Sequence, residues 1–153
     1  MSDATTGSPA ETEQTPYELM GGERFFTTLV ARFYEGVATD EVLRPMYPEG
    51  DLAPAERRLR LFMEQYWGGP DTYGEERGHP RLRMRHAPYE IDMAARDRWL
   101  THMRDALDST VAEQPMHQAA YDALLTYITG AATAMVNVMP EDQAGVTISD
   151  GQR

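Results

Sequence analysis

No cysteine occurs in the 153 residues, which excludes disulfides, Cys-type zinc sites, iron–sulfur clusters and every cofactor attached through a thioether. Lysine is absent as well: all 14 basic residues are arginine, a bias of composition to which no function is assigned. Positive charge is scarce overall. The net charge of −11 argues against a nucleic-acid or anionic-membrane partner, because phosphate backbones reward basic surfaces. No apolar run approaches the ~20 residues of a membrane span. The first fifteen residues lack the basic start and apolar stretch of a secretory signal, so a cytoplasmic location is expected. Period-two alternation of useful length is missing too, which points to an all-α chain.

What is present is helical periodicity, punctuated by glycine and proline. Thr15-Pro16-Tyr17-Glu18 has the form of a capping box with proline at the first helical position, and Gly21-Gly22 should interrupt the short helix it starts. From Glu23 onward Phe26, Leu29, Val30, Phe33, Tyr34 and Val37 follow the spacing of one buried helix face. Two prolines and a glycine in Leu43 to Asp51 predict a tight corner carrying Tyr47. A helix from about Pro54, facing inward with Ala55, Leu59, Phe62, Met63 and Tyr66, should stop at Gly68-Gly69-Pro70. Asp71 to Pro80 reads as an irregular loop. Asp92 should cap a helix with the stripe Trp99, Met103, Ala106 and Leu107, fading near Asp108-Ser109-Thr110. The last helix is expected from Pro115 to about Val138, with Tyr121, Leu124, Leu125, Ile128, Ala132, Met135 and Met139 inward and Pro140 as its end. One domain over 15–139 is therefore expected, flanked by disordered tails at 1–14 and 140–153.

The chemistry concentrates in Gly78 to Tyr89, where Arg77, Arg81, Arg83 and Arg85 surround His86 in an otherwise acidic chain. Pro88 halts the short helix that carries this histidine. A di-iron bundle would need paired Glu-x-x-His motifs, and the only such spacing, Glu76 to His79, is broken by Gly78. A zinc hydrolase would need clustered histidines, but His79, His86, His102 and His117 lack the spacing. A single axial imidazole on a flat apolar cofactor makes the least demand on further ligands, and arginine is the usual partner of carboxylates such as haem propionates. Haem held without a covalent link is favoured on these grounds.

Gly21-Gly22, Arg32-Phe33-Tyr34, Tyr47-Pro48, Gln65 to Pro70, Gly78 to Pro88 and Arg98-Trp99-Leu100, in this order and spacing, resemble the group II truncated haemoglobins. The resemblance spans about residues 16–139 and implies a two-over-two helical sandwich around haem b, iron protoporphyrin IX. It implies His86 as the iron ligand, with Tyr34, Tyr47 and Trp99 turned toward the ligand side and Ala55 where many globins carry a distal histidine or glutamine. Arg83 and Arg85 are the propionate candidates. Leu59 and Phe62 are the candidate pocket walls, and His79, His102 and His117 are expected to have no iron role. Dioxygen and other diatomic gases are the implied ligands, stabilised by phenolic and indole donors so that release is slow. The alternatives are a redox enzyme, peroxidase-like or oxidising nitric oxide with electrons from a separate reductase, and a non-haem all-α interaction module. The sequence leaves a homo-oligomer open.

Overall fold

Thr15 starts the first helix by satisfying two backbone groups at once: its hydroxyl accepts from Glu18 N (3.2 Å) and its own N–H donates to Glu18 Oε1 (3.1 Å). The capping box read from sequence is therefore formed. The structure, a computed structural model, describes residues 14–138; apart from Gln14 the two expected tails, with Met139 and Pro140, lie outside the described residues. Among these there are seven α-helices and no strand: α1 (Pro16–Met20), α2 (Gly22–Ala38), α3 (Ala53–Tyr66), α4 (Thr72–Arg77), α5 (Leu82–His86), α6 (Met93–Glu113) and α7 (Gln118–Ala134). A 3₁₀ turn, Arg44–Met46, forms the expected corner. No helix among the described residues is long and apolar enough to cross a membrane.

The core grows outward from α2. Phe25, Phe26, Leu29, Val30, Phe33 and Val37 are all buried, each contributing about 1.5–3 kcal/mol through removal of apolar surface from water. The predicted stripe is recovered with Phe25 added. Packed against α2 are α3 on one side and α6 on the other, while α6 also packs on α7 and α3 on α4. The result is the expected two-over-two sandwich, with α2/α3 and α6/α7 as its helix pairs.

Four features differ from the sequence reading, each for a physical reason. Asp71 to Pro80 is not all irregular: α4 forms because Glu75 N donates to Asp71 O, Gln65 Oε1 receives Gly74 N, and Tyr73 buries its ring against Phe62 at 5.4 Å. Ala55, Leu59, Phe62 and Met63 face inward as expected, whereas Tyr66 is exposed and Leu61 and Glu64 are buried as well; the buried face of α3 is thus wider than the expected stripe and ends short of Tyr66. The polar run near Ser109 does not weaken α6, since the buried Thr110 hydroxyl donates to Ala106 O (2.7 Å) and Ser109 and Glu113 both accept from Arg32. Finally, α7 starts at Gln118, with His117 O receiving the first N–H groups. It ends at Ala134 because the N–H groups of Asn137 and Val138 both donate to Ile91 O.

Asp40 locks the end of α2 to α6. Its buried carboxylate accepts from Val42 N, Leu43 N, Arg98 Nε and His102 Nε2, the last at 2.7 Å. Burial alone would raise the pKa of this acid. The hydrogen bonds from Leu43, His102, Arg98 and Val42 outweigh it and hold the group well below the usual carboxylate range. His102 comes this close because Gly36 faces it. A Cβ at Gly36 would lie 3.0 Å from His102 Cγ and nearer still to Nδ1.

Two predictions follow from this junction. Glycine-to-alanine changes in a helix interior ordinarily stabilise by about 1 kcal/mol, and Gly130, with nothing within 4 Å of an added Cβ, should show that gain. Gly36→Ala should instead lower the melting temperature by displacing His102, so equal melting shifts at the two positions would contradict the packing. For Asp40 the folded-state pKa lies below the unfolded value near 3.9. Its contribution is present above about pH 4 and disappears as pH falls through the folded value. Asp40→Asn should cost about 1.5–3 kcal/mol at neutral pH, the scale of hydrogen bonds to a charged group, and should flatten the acid limb of stability. Urea titrations of both proteins across the acid range would reveal it.

Candidate functional site: a cavity between the helix pairs

A cavity of about 590 Å³ lies between the helices, walled by residues of all of them but α1 and by the 3₁₀ corner. His86 lines it from the end of α5. Its Nδ1 lies 2.7 Å from Leu82 O, and since a carbonyl only accepts, Nδ1 carries a proton here, which in the neutral ring leaves the lone pair on Nε2. Turn geometry sustains this: Tyr89 N donates to His86 O, and Asn137 fastens the segment by donating through Nδ2 to Tyr89 O (2.9 Å) and accepting Ile91 N at Oδ1 (2.8 Å). Asn137 was not singled out from sequence. Nothing in local periodicity distinguishes a side chain that bridges segments 46 residues apart.

Tyr34, Tyr47 and Trp99 line the same cavity. Tyr34 on α2 is buried, and its ring meets Tyr47 edge-on at 5.5 Å, while Phe33 touches both Tyr34 (4.9 Å) and Trp99 (5.1 Å). Burial raises the Tyr34 phenol far above its ordinary pKa, and Tyr47 raises it further. Tyr47 is also raised by burial, but its contact with Tyr34 acts in the lowering sense. Both phenols stay neutral at physiological pH and can act as donors.

Leu59 and Phe62 line the cavity from α3, together with the buried Ala55 and Met63. The two arginines singled out from sequence separate. Arg85 lines the cavity, with its Nε committed to Pro80 O at 2.7 Å, whereas Arg83 faces a different groove beside Met84 and Val138. Arg58, Arg77 and Arg96 line the cavity instead. On the helix α5 two residues that are two positions apart lie about 200° apart around the axis, so Arg83 and Arg85 do not share a face. His102 is committed to Asp40, and His79 Nδ1 accepts from Arg81 N; neither lines the cavity, nor does His117. Tyr73 and Tyr127 also line it. Tyr73 lies on the short α4, too brief to show a helical period in sequence, whereas Tyr127, next to Ile128 on α7, sits at the margin of a visible stripe.

Comparison with known proteins agrees with this architecture. The model of the bacterial-like globin family matches residues 15–137. The group 2 truncated haemoglobin of Bacillus subtilis is 41% identical over 109 residues, covering 71% of this chain and 81% of that one. Among solved structures, the thermostable haemoglobin of the actinobacterium Thermobifida fusca is 62% identical with a TM-score of 0.77, covering 82% of this chain and 98% of that one. The group II truncated haemoglobin of Bacillus anthracis is 36% identical with a TM-score of 0.76, covering 84% and 95%. With the helix order, the cavity and these likenesses in agreement, the chain belongs to the bacterial-like globins as a group II truncated haemoglobin, a family that implies a haem cofactor.

Proposed function

We propose that the protein binds haem b through His86 and uses it to hold dioxygen with slow release, Tyr34, Tyr47 and Trp99 supplying the hydrogen bonds. The observation that carries this reading is the His86 ring, whose Nδ1–H is spent on Leu82 O while the ring lines a cavity shared with the two phenols and the indole. The residues present suit the cofactor. Apolar side chains such as Leu59, Phe62, Met63 and Ile128 offer flat walls, and Arg58, Arg77, Arg85 and Arg96 offer guanidinium groups for its carboxylates. When bound, ferrous haem supplies an iron that takes up dioxygen and transfers negative charge to it.

The chain's own part is to meet that charge. Tyr34 is a neutral donor because burial keeps its proton on, and Trp99 can only donate. Ala55 contributes no polar group from α3, so these rings carry the stabilisation. Within a cavity of low polarity each such donor is strengthened, because few waters compete for the same acceptor.

A hydrogen bond to a charged group contributes about 1.5–3 kcal/mol, and each ~1.4 kcal/mol is tenfold. Trp99→Phe should therefore speed oxygen dissociation by roughly ten- to a hundredfold, and Tyr34→Phe by less, since the remaining hydroxyl of Tyr47 can turn toward the ligand. Carbon monoxide gains little charge and should respond weakly. Stopped-flow dissociation of both gases from wild type and the two variants decides the matter: equal acceleration for oxygen and carbon monoxide would mean that Trp99 acts by bulk and not as a donor.

A further inference from the structure

Glu49 is the single carboxylic acid among the described residues that line the cavity, where it stands with four arginines, His86 and the tyrosines. Its backbone is fixed by Arg44, which donates from Nη1 to Tyr47 O (2.9 Å) and from Nη2 to Glu49 O (3.0 Å) and Gly50 O (3.1 Å). One guanidinium thus holds the corner that carries both the phenol and the acid. In the side chain, Glu49 Oε2 accepts from Arg58 Nη2 at 3.3 Å, while Oε1 is buried with no hydrogen-bond donor among the described residues. A buried acceptor left in this state calls for an explanation, because leaving it unpaired costs free energy.

Neither the fold nor the cofactor supplies one. An acid that serves to join elements resembles Asp40, whose oxygens accept from four donors; Glu49 has a single long contact. A carboxylate on the cavity wall would also repel the carboxylates of haem. Its position suits the ligand instead: Glu49 lies in the chain between Tyr47 and Ala55, and its partner Arg58 precedes Leu59 on α3, all of them residues of the cavity wall. Among the lining arginines Arg96 is already paired with Asp97, and Arg77 and Arg85 are available to the haem carboxylates. The Glu49 oxygen without a donor is the negative charge that the protein itself contributes.

We propose that Glu49 is a charge filter for the iron site, its carboxylate repelling anions from the ligand side of the cavity while neutral dioxygen and other diatomic gases pass. Arg58 sets the strength of the repulsion by offsetting part of that charge. The proposal rests on the haem reading above. A cavity of about 590 Å³ is on the order of 10 Å across, close to the Debye length in dilute salt, so a ligand inside it stays within reach of a charge on its wall. Glu49 is half-buried, so solvent screens part of its field. At such a separation one wall charge changes the affinity of a singly charged anion by about three- to tenfold. A neutral gas offers that field no net charge to act on.

The test uses haem-loaded protein at equal haem content, judged by the Soret band, and compares Glu49→Gln, Glu49→Asp and Arg58→Gln with wild type. Azide affinity of the ferric form, read by titration of the Soret band, should rise about three- to tenfold in Glu49→Gln, stay near wild type in Glu49→Asp, and fall in Arg58→Gln, which leaves the acid without its counterion. Added salt should narrow these differences, and carbon monoxide association with the ferrous form should respond far less than azide. The C–O stretching band gives a readout independent of affinity: a more positive surrounding draws electron density onto the bound gas and lowers its frequency. The band should therefore move down in Glu49→Gln and up in Arg58→Gln. Both variants break the same ion pair, so a pair that acts only as a mechanical latch would shift azide affinity in the same direction in both. That result, or an unchanged azide affinity in Glu49→Gln, would overturn the proposal while leaving the haem reading intact. Protein that takes up no haem would overturn both, and the missing Soret band would tell that failure apart from the others.

Discussion

The carboxylate of Asp40 joins two elements that would otherwise be free to drift. Its acceptor sites are filled by two N–H groups of the corner and by Arg98 and His102 of α6. The corner carries Tyr47, and α6 carries Trp99 only one residue from Arg98. Tyr34 lies on α2, whose end leads directly into Asp40. The elements that carry Tyr34, Tyr47 and Trp99 are therefore tied together by one buried acid, and the rings themselves meet one another and Phe33. A buried charge is tolerable because every partner is present; removing any of them would leave a charge or a donor without its counterpart. Gly36 is part of the same arrangement, because its missing side chain is the space that His102 occupies.

The polar groups of the cavity divide by task. His86 is held by the backbone of its own short helix, through Leu82 O, and by the Asn137 clasp on the segment that follows. Its orientation is thus set locally and by α7, whereas the phenols and the indole are set by α2 and α6. The placement of the histidine and that of the phenols and indole can accordingly be altered by separate substitutions. In both phenols burial opposes ionisation, so the apolar wall also keeps their protons on. The arginines belong to the outer part of the design: although the chain is acidic overall, four of its guanidinium groups gather along this one cavity.

Much of this was legible in the sequence, because short-range periodicity determines which face of a helix is buried. The stripe of α2, the capping box at Thr15, the Asp92 cap and the halt after His86 all depend on residues within a turn or two of one another. The features that escaped are those fixed by distant partners. Thr72–Arg77 became helical through Gln65 and the Phe62–Tyr73 contact, and α7 stopped early because Asn137 turned to meet Ile91. Tyr66 has the spacing of a core residue, yet it stacks on Tyr127 at the surface. For the arginines, composition revealed a basic stretch but not its direction: Arg85 turns to the cavity and Arg83 away from it.

His86 as the single protein ligand of the haem iron is the claim on which the functional reading turns. The most direct measurement is the absorption spectrum and haem retention of the ferrous protein, compared with His86→Gly in the absence and presence of imidazole. The expected result is that the variant loses the wild-type spectrum and retains less haem, and that free imidazole, occupying the space of the missing ring, restores both. A variant that keeps the wild-type spectrum and haem retention without imidazole would contradict the assignment and leave the iron to be held by some other residue.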